Sequence, residues 1–272
     1  MKIRLNCFPK GKQKALTMSY DDGVRQDKRL IEIFNKYGIK GSFHLNSGLA
    51  DGSEDFNRIP ISEFAEVYKG HEISTHSLTH PKLEMLPTEE LIHEILEDRK
   101  KLEEVSKYPV RGMSYPFGSY NEKVLDVLKN LGIEYCRTVK TQGYFALPEK
   151  FLEWEATCHH NGDLINAGNR FLEEANCENS SLMYVWGHSY EFDNDNNWEL
   201  IEEFCKLIGN REDVWYATNI QIVDYINAMR NLRFSTTREM VFNPSAQSVW
   251  ISANGKIVEI KPGTTAKISE LL

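Results

Sequence analysis

The sequence has 272 residues, 41% hydrophobic and 26% charged, a composition typical of a globular protein with one large domain, alone or with a small appendage. Its formal net charge of −8 argues against nucleic acid or an anionic membrane as the main partner, because both select basic surfaces. The longest uninterrupted apolar run, Leu182 to Trp186, is too short to span a bilayer.

The first residues and the cysteines bear on the cellular compartment. Residues 1–6 lack the apolar stretch typical of a signal peptide, which predicts a cytoplasmic location. No CxxC pair is present, so we expect reduced, mostly buried thiols rather than disulfides or a zinc ribbon. The cysteines are Cys7, Cys136, Cys158, Cys177 and Cys205.

Strand-like and helix-like patterns alternate along most of the chain. A short run with Ile3, Leu5 and Cys7 on alternate positions predicts an N-terminal strand. Further strands are predicted at 15–20, 41–45, 71–74, 110–115, 133–138, 181–186 and 214–218. Helices are predicted at 26–37, 62–68, 121–131, 198–207 and 220–229, and a long helix from residue 88 with a stripe of Leu91, Ile95, Leu102 and Val105.

This alternation indicates parallel βαβ units, and the absence of a dinucleotide glycine fingerprint favours a barrel over an open sheet. The pattern changes near residue 231, where turn residues separate short β-type runs at 248–252 and 256–260. Asn254-Gly255 predicts a two-residue hairpin between these runs. We therefore predict an α/β domain over residues 1–230 and a small β appendage over 231–272.

Asp21 and Asp22 directly follow the second predicted strand. The ends of parallel strands are where sites are built in barrel-like α/β proteins. Adjacent carboxylates at a strand end point in different directions, so one can bind a metal while the other accepts a proton. A capped turn at Asp22-Gly23 is the alternative interpretation.

His76 and His80 follow the fourth predicted strand. At a spacing of four, one helical turn would bring both imidazoles to the same side. Neutral imidazole is a common ligand of zinc and similar metals. Together with Asp22 they would form a two-histidine, one-aspartate site with open positions for water.

His188 follows the apolar strand 181–186 after a glycine. This arrangement can place an acid or a base beside a pocket. A histidine hydrogen-bonded at a strand end is the alternative.

These segments occur in the order found in polysaccharide deacetylases. The ordered set consists of Asp21-Asp22-Gly23, His76-x-x-x-His80, Pro116-Phe117-Gly118 and the strand that ends in His188. Over roughly residues 14–230 the chain resembles this family, which is carbohydrate esterase family 4 or the NodB homology domain. The resemblance implies a distorted (β/α)7 barrel and hydrolytic removal of acetyl groups from a carbohydrate.

The resemblance also implies roles for individual residues. Asp21 would be the catalytic base and His188 the catalytic acid, while Phe117 would offer its backbone N–H to the oxyanion. Tyr115 and Trp154 are further candidates for this part of the site. The metal ligands would be Asp22, His76 and His80, holding a divalent ion, expected to be zinc, with cobalt or nickel as alternatives.

Two family features are absent from their usual positions. The family places an arginine four residues before the glycine of its Pro-aromatic-Gly motif, and this chain has Ser114 there. Arg111 lies three residues earlier and would face the opposite side of the strand. For the Asp-Trp pair that supports the acid histidine, Glu153-Trp154 is the nearest match.

For several other histidine, aromatic and acidic residues the sequence predicts a location but no catalytic role. We expect His44 to lie in the core or behind the site, and His159-His160 to lie in an exposed loop. Trp186 is predicted to pack in the core, whereas Trp154, Tyr144 and Tyr190 could form a platform for sugar rings. Acidic residues after His188 are predicted to form a solvated loop, namely Glu191, Asp193 and Asp195.

The leading functional hypothesis is a metal-dependent hydrolase that removes N-acetyl or, as the lesser alternative, O-acetyl groups from a carbohydrate. A second hypothesis is hydrolysis of a small cyclic or ureido amide. A third is a carbohydrate-binding relative that has lost turnover, and a fourth is a two-histidine, one-carboxylate iron oxygenase. The sequence does not determine the oligomeric state.

Overall fold

The computed structural model describes residues 1–50, 57–174 and 179–272. The strands are β1 (Ile3–Arg4), β2 (Lys14–Asp21), β3 (Gly41–Leu45), β4 (Glu72–Thr75), β5 (Gly112–Ser114), β6 (Tyr135–Thr141), β7 (Trp154–Ala156), β8 (Cys158–His159), β9 (Ser181–Gly187), β10 (Val214–Tyr216), β11 (Arg233–Phe234), β12 (Met240–Phe242), β13 (Val249–Ala253), β14 (Lys256–Ile260) and β15 (Thr265–Lys267). The helices are α1 (Asp27–Lys36), α2 (Ser47–Ala50), α3 (Phe64–Val67), α4 (Thr88–Ser106), α5 (Glu122–Asn130), α6 (Leu164–Glu173), α7 (Glu191–Asn194), α8 (Trp198–Ile208) and α9 (Asn219–Arg230).

Strands β2 to β10 form one sheet in which every pairing is parallel. Its order is β7-β6-β5-β4-β3-β2-β9-β8, with β10 beside the start of β2. The two ends of this path, β7 and β8, are separated only by Thr157, whose backbone N–H donates to the Tyr184 carbonyl oxygen (2.7 Å). The path therefore returns to its start, as in a distorted barrel, and the predicted α/β fold class is confirmed.

Helices cover the outside of this sheet with the apolar faces that the sequence pattern predicts. The stripe of α4 buries Leu91, Ile95 and Leu102, whereas Val105 is only partly buried. On the opposite side, Phe34 of α1 and Phe204 of α8 are fully buried over β2 and β9. Across residues 1–50, 57–174 and 179–272, no helix is both long and apolar enough to cross a membrane.

The C-terminal strands form two small antiparallel sheets, β11-β12-β15 and, together with the N-terminal β1, β1-β13-β14. In the predicted hairpin, Ala253 pairs with Lys256 around Asn254 (φ 50°) and Gly255 (φ 83°). Two consecutive residues with positive φ are what a two-residue hairpin turn requires, so this prediction is confirmed. The N-terminal strand, which the sequence groups with the barrel, instead pairs with β13 of the appendage.

The appendage is attached to the barrel through α9. The Tyr225 hydroxyl of α9 donates to the carbonyl oxygen of Cys7 (2.8 Å) and accepts from the backbone N–H of Trp250 (3.1 Å). One side chain thus joins the N-terminal segment, the last barrel helix and the appendage.

Four cysteines in the described part of the chain are free thiols. Cys7, Cys136 and Cys205 are buried and Cys158 is half-buried. Cys177 lies outside the described residues.

Candidate active site

Polar side chains from several strands meet at the carboxyl ends of the parallel sheet. Asp21 is the last residue of β2, His76 follows β4, Ser114 ends β5 and His188 follows β9. This end of the sheet collects side chains from strands that are distant in sequence, because all the strands run in the same direction.

Asp22, His76 and His80 come together as a group of three potential metal ligands. One donor atom from each lies within 4.8 Å of the others, and the two imidazole centroids are 4.7 Å apart. The spacing of four residues predicts that one helical turn brings the two imidazoles together, but the structure has a non-helical loop there. Ser77 (φ 65°) and His80 (φ 61°) turn this loop, and the Ser77 hydroxyl accepts from the backbone N–H of His80 (3.1 Å).

The proton position on His76 follows from its neighbours. Its Nδ1 lies 2.9 Å from the carbonyl oxygen of Ser114, which can only accept a hydrogen bond. Nδ1 therefore carries the proton, and Nε2 keeps a lone pair for a ligand. Burial lowers the pKa of His76 to about 4, so the ring is neutral near pH 7, as metal binding requires.

Backbone conformations in the left-handed region are concentrated here. Asp22 (φ 84°), His80 (φ 61°) and Phe117 (φ 58°) all adopt them without being glycine. Such conformations cost of order 1–3 kcal/mol each and are typical of functional sites. The two acids have different surroundings, because the Asp22 carboxylate lies with His76 and His80 whereas that of Asp21 pairs with Arg137.

Asp21 is buried among groups that favour its ionised form. The Arg137 guanidinium pairs with Oδ2, the Ser114 hydroxyl donates to Oδ1 (3.0 Å), and His44 Nδ1 lies 3.3 Å from Oδ1. Burial alone would raise the pKa of Asp21, but Arg137, His76 and His44 outweigh it and hold this pKa well below its ordinary value. Asp21 is therefore a carboxylate near pH 7, and His44 lies behind the site, as expected.

Arg137 is a site residue that sequence reasoning missed. It lies on β6 directly opposite Ser114 in the parallel register, and its side chain is 1% exposed. Its guanidinium also stacks on the Trp186 ring at 4.3 Å. Arg111 does not approach the site, because it forms ion pairs with Glu134 (2.9 Å) and Asp224 (2.8 Å). The guanidinium missing from position 114 thus comes from the neighbouring strand.

Arg58 was also missed, because it lies alone in an irregular segment. Its guanidinium donates to the carbonyl oxygen of Asp22 and lies 3.4 Å from the Asp22 carboxylate. This positive charge offsets part of the negative charge at the loop that would hold the metal.

His188 lies beside Asp22 of the metal-ligand group, whereas Asp21 lies beside His76 (Oδ2 to Nε2, 4.0 Å). The His188 Nε2 is 3.9 Å from Asp22 Oδ2, and its Nδ1 is 3.3 Å from Glu191 Oε1. Burial would lower the pKa of His188, but the carboxylates of Glu191, Asp21 and Asp22 outweigh it and raise this pKa. A raised pKa favours the protonated form that a general acid needs.

Two predictions about the surroundings of His188 are wrong. Glu191 is not part of a solvated loop, because it begins α7 and its carboxylate contacts three histidines. His159 and His160 do not form an exposed loop either, because His160 is fully buried and His159 is half-buried. The chain leaves β8 at His159, which lets both rings face Glu191.

The aromatic candidates divide between the site and the core. The Phe117 ring is 59% exposed and packs on His80 (centroids 4.5 Å), and Tyr190 lies beside His188 (5.2 Å). Tyr115 and Trp154 are each only 1% exposed, so neither side chain faces a substrate. The Tyr115 hydroxyl donates to the Leu152 carbonyl oxygen (2.8 Å), which fixes it in the interior.

Three further predictions concern residues around the sugar platform and the acid. Trp186 is 8% exposed and packs in the core, as predicted. The Tyr144 ring is exposed. Glu153 pairs with Lys150 (2.9 Å) and accepts from Tyr120, so it does not support His188.

The ligand group fits a divalent ion such as zinc. It combines one carboxylate with two imidazoles, at least one of which presents an unprotonated Nε2, and this is a donor set typical of zinc sites that keep open positions. His159, His160 and Glu191 form a second group with similar spacing.

Part of the chain is similar in sequence to known polysaccharide deacetylases. The polysaccharide deacetylase family model matches residues 9–136. Over 128 residues the chain is 25% identical to the peptidoglycan-N-acetylglucosamine deacetylase PgdA of Listeria monocytogenes, a stretch that covers 46% of this chain and 26% of that protein. The aligned part is thus about a quarter of that relative's length.

Solved structures support the fold. A Mycobacterium smegmatis protein provisionally named a polysaccharide deacetylase superposes with a TM-score of 0.60 at 16% identity, covering 85% of this chain and 96% of that one. The CE4 domain of a multidomain xylanase from the hindgut metagenome of Trinervitermes trinervoides gives 0.56 at 13% identity, with 79% and 92% covered. Residues 9–136 thus match the model of the polysaccharide deacetylase family, the family that the ordered motifs predict.

Proposed function

We propose that this protein is a metal-dependent hydrolase that removes N-acetyl groups from a carbohydrate. The observation that carries the proposal is that an ionised carboxylate and a histidine of raised pKa both lie beside the Asp22, His76 and His80 group. Asp21 Oδ2 is 4.0 Å from His76 Nε2, and His188 Nε2 is 3.9 Å from Asp22 Oδ2. A base and an acid beside a potential metal site are the groups that amide hydrolysis by water needs.

The residues of the chain divide the reaction into defined tasks. Asp22, His76 and His80 would hold a divalent ion, which when bound supplies Lewis acidity and lowers the pKa of water to about 7. Asp21 accepts a proton as the water oxygen attacks the acetyl carbon. His188 donates a proton to the nitrogen as the C–N bond breaks, so the products are acetate and a free amine.

Arg137 keeps Asp21 ionised and oriented toward the ligand group. Both side chains are almost fully buried, so water screens the attraction between their charges very little. Phe117, with its left-handed backbone, is the proposed source of an N–H donor for the oxyanion. A single such donor contributes about 3 kcal/mol in comparable sites.

The presence of Arg137 argues against the carbohydrate-binding hypothesis. That hypothesis depends on the absence of the motif arginine, and here a guanidinium reaches the same carboxylate from β6. The iron oxygenase hypothesis is disfavoured by the parallel α/β scaffold. Hydrolysis of a small cyclic or ureido amide stays an alternative.

The proposal is tested by acetate release from N-acetyl sugars and oligomers in the presence of zinc, cobalt or nickel. The wild type should release acetate, and Asp21→Asn should lower the rate by about 10²–10⁴-fold, the usual contribution of a general base. Metal binding should persist in Asp21→Asn, because Asp22, His76 and His80 are unchanged. Cleavage of a small cyclic amide without acetate release would support the alternative, and sugar binding without turnover would overturn the proposal.

A further inference from the structure

Glu191 makes two contacts with His188, the proposed catalytic acid. Its Oε2 accepts the backbone N–H of His188 (3.1 Å), and its Oε1 lies 3.3 Å from the His188 Nδ1. The two residues are three positions apart, at the point where the chain leaves β9 and begins α7. The carboxylate thus holds both the backbone and the ring of this histidine.

The same carboxylate is held from its other side by two imidazoles. Glu191 Oε2 lies 3.0 Å from His160 Nε2 and 3.2 Å from His159 Nε2. His160 is fully buried between Tyr20 (5.6 Å) and Phe192 (4.2 Å), with its ring nearly parallel to both. Because the His160 ring is packed on both faces, it cannot easily move. The Glu191 carboxylate beside it is therefore held by a side chain of the buried core.

The spacing of His159, His160 and Glu191 would also suit a metal, but the proton on His159 argues against one. The backbone N–H of Asn161 donates to His159 Nδ1 (3.1 Å), so this nitrogen carries the lone pair. In the neutral ring Nε2 then carries the proton, and it faces Glu191. A metal-bound Nε2 would need that proton removed, whereas a carboxylate accepts it.

We propose that Glu191 is the positioning residue for His188, and that His159 and His160 fix its carboxylate in place. This inference rests on the proposed function. With Nδ1 directed at Glu191, the His188 Nε2 is the nitrogen that faces Asp22 and the ligand group. His160 Nε2 and His188 Nδ1 lie within hydrogen-bond distance of Glu191, but their angles do not meet those of a hydrogen bond. Catalytic hydrogen bonds are often poorly aligned until substrate binds.

The role of an acid depends on the group that leaves. When an N-acetyl amide is hydrolysed, the C–N bond breaks and the nitrogen must receive a proton from His188. When 4-nitrophenyl acetate is hydrolysed, the C–O bond breaks and the phenolate leaves without a proton. A residue that acts through His188 is therefore needed for the amide and dispensable for the aryl ester.

The experiment compares wild type, Glu191→Gln, Glu191→Ala and His159→Ala on an N-acetyl sugar oligomer and on 4-nitrophenyl acetate, with zinc bound. For the two Glu191 variants we expect kcat on the amide to fall by about 10²-fold or more, with KM and ester hydrolysis changed by less than about threefold. His159→Ala should shift the amide rate in the same direction by a smaller factor. Glu202→Gln, which alters a surface ion pair with Lys36, is the matched control.

Several results would overturn the inference. Equal losses on both substrates would indicate a general structural role. A drop in bound zinc from two ions to one per chain in Glu191→Gln would make this cluster a metal site instead. An unchanged amide rate would remove the role altogether.

A second measurement separates this inference from the proposed function. Long-range proton–nitrogen-15 spectra of the imidazoles report which ring nitrogen carries the proton. In the wild type we expect a protonated Nδ1 on His188, and in Glu191→Ala a mixture of tautomers. A wild type with an unprotonated Nδ1 overturns the inference, whether or not the protein releases acetate. Failure of the proposed function alone would leave the spectra as expected and abolish acetate release from every sugar.

Discussion

The guanidinium of Arg137 pairs with the carboxylate of Asp21 in the interior of the sheet, where their side chains are 1% and 3% exposed. Arg137 stands opposite Ser114, the position at which the family places its own arginine. In a parallel sheet, paired residues on neighbouring strands project to the same face. An arginine at position 114 or at position 137 can therefore place its guanidinium near Asp21, the last residue of β2.

Replacement of Arg137 by Met should leave Asp21 as an uncompensated buried charge. We expect a loss of roughly 3–5 kcal/mol in the free energy of unfolding. Acetate release near pH 7 should fall by about 10²-fold, because Asp21 then tends to be protonated. Urea unfolding and acetate assays measure the two effects.

Moving the arginine between the paired strands gives a control for this prediction. The double variant Ser114→Arg/Arg137→Ser should recover part of the activity that Arg137→Ser alone loses. Arg111→Gln, in a partly exposed ion-pair cluster, should cost about 1 kcal/mol or less and leave kcat unchanged. Full activity in Arg137→Met would contradict the assignment.

His76→Ala should weaken zinc binding at the ligand group. Loss of one of three protein ligands should lower the zinc affinity by at least about 100-fold. This is the upper end of the loss that is usual when a residue hydrogen-bonded to a metal ligand is replaced. Zinc at 100 times the wild-type Kd should stabilise the wild type by about 2.7 kcal/mol, whereas the same concentration should stabilise the variant by about 0.4 kcal/mol or less. Calorimetric titration and thermal unfolding measure both quantities. His93→Gln, an exposed histidine of α4, should behave as wild type.

Gly187→Ala should disturb the cluster that holds Glu191. A Cβ at this position would lie 2.1 Å from Nδ1 of the buried His160, so the ring must move. We expect a destabilisation of about 1–3 kcal/mol together with a lower rate of acetate release. Gly168→Ala in α6 is a suitable comparison, because its nearest neighbours, at 3.1 Å and beyond, are ends of the Leu207 and Phe204 side chains. Equal behaviour of the two variants would argue against a tightly packed His160.

Asp27 should make stability depend on pH in a direction opposite to that of Asp21. Burial raises the pKa of Asp27 to about 7, and its oxygens accept from Ser189 (2.5 Å) and Tyr68 (2.7 Å). The folded state thus binds this proton more tightly than the unfolded state, whose pKa is about 3.9. The contribution of Asp27 is fully present below about pH 4 and is lost as the pH rises toward 7.

Comparison with Asp27→Asn isolates this contribution. Between about pH 4 and 7 the wild type should lose up to roughly 1.4 kcal/mol per pH unit relative to the variant, with no further change above pH 7. Denaturant unfolding of both proteins at each pH provides the measurement. Parallel stability curves for the two proteins would contradict the raised pKa.

The sequence predicted the features that depend on local order along the chain. The β2–α1–β3 alternation, the stripe of α4 and the Asn254-Gly255 hairpin follow from periodicity and turn chemistry, which neighbouring residues determine. The order of Asp21-Asp22, His76-x-x-x-His80 and His188 was enough to predict the family that residues 9–136 match.

Contacts between distant segments were decided by the tertiary structure alone. Arg137 reaches Asp21 across 116 positions of the chain, because the sheet order places β6 beside β5. His159, His160 and Glu191 looked like loop residues, since no local pattern shows that β8 and α7 deliver them to one point. Trp154 looked like a substrate contact, but closure of the sheet through Thr157 buries it. Sequence periodicity reports which face of an element is buried, whereas the partner buried against that face depends on strand order and register.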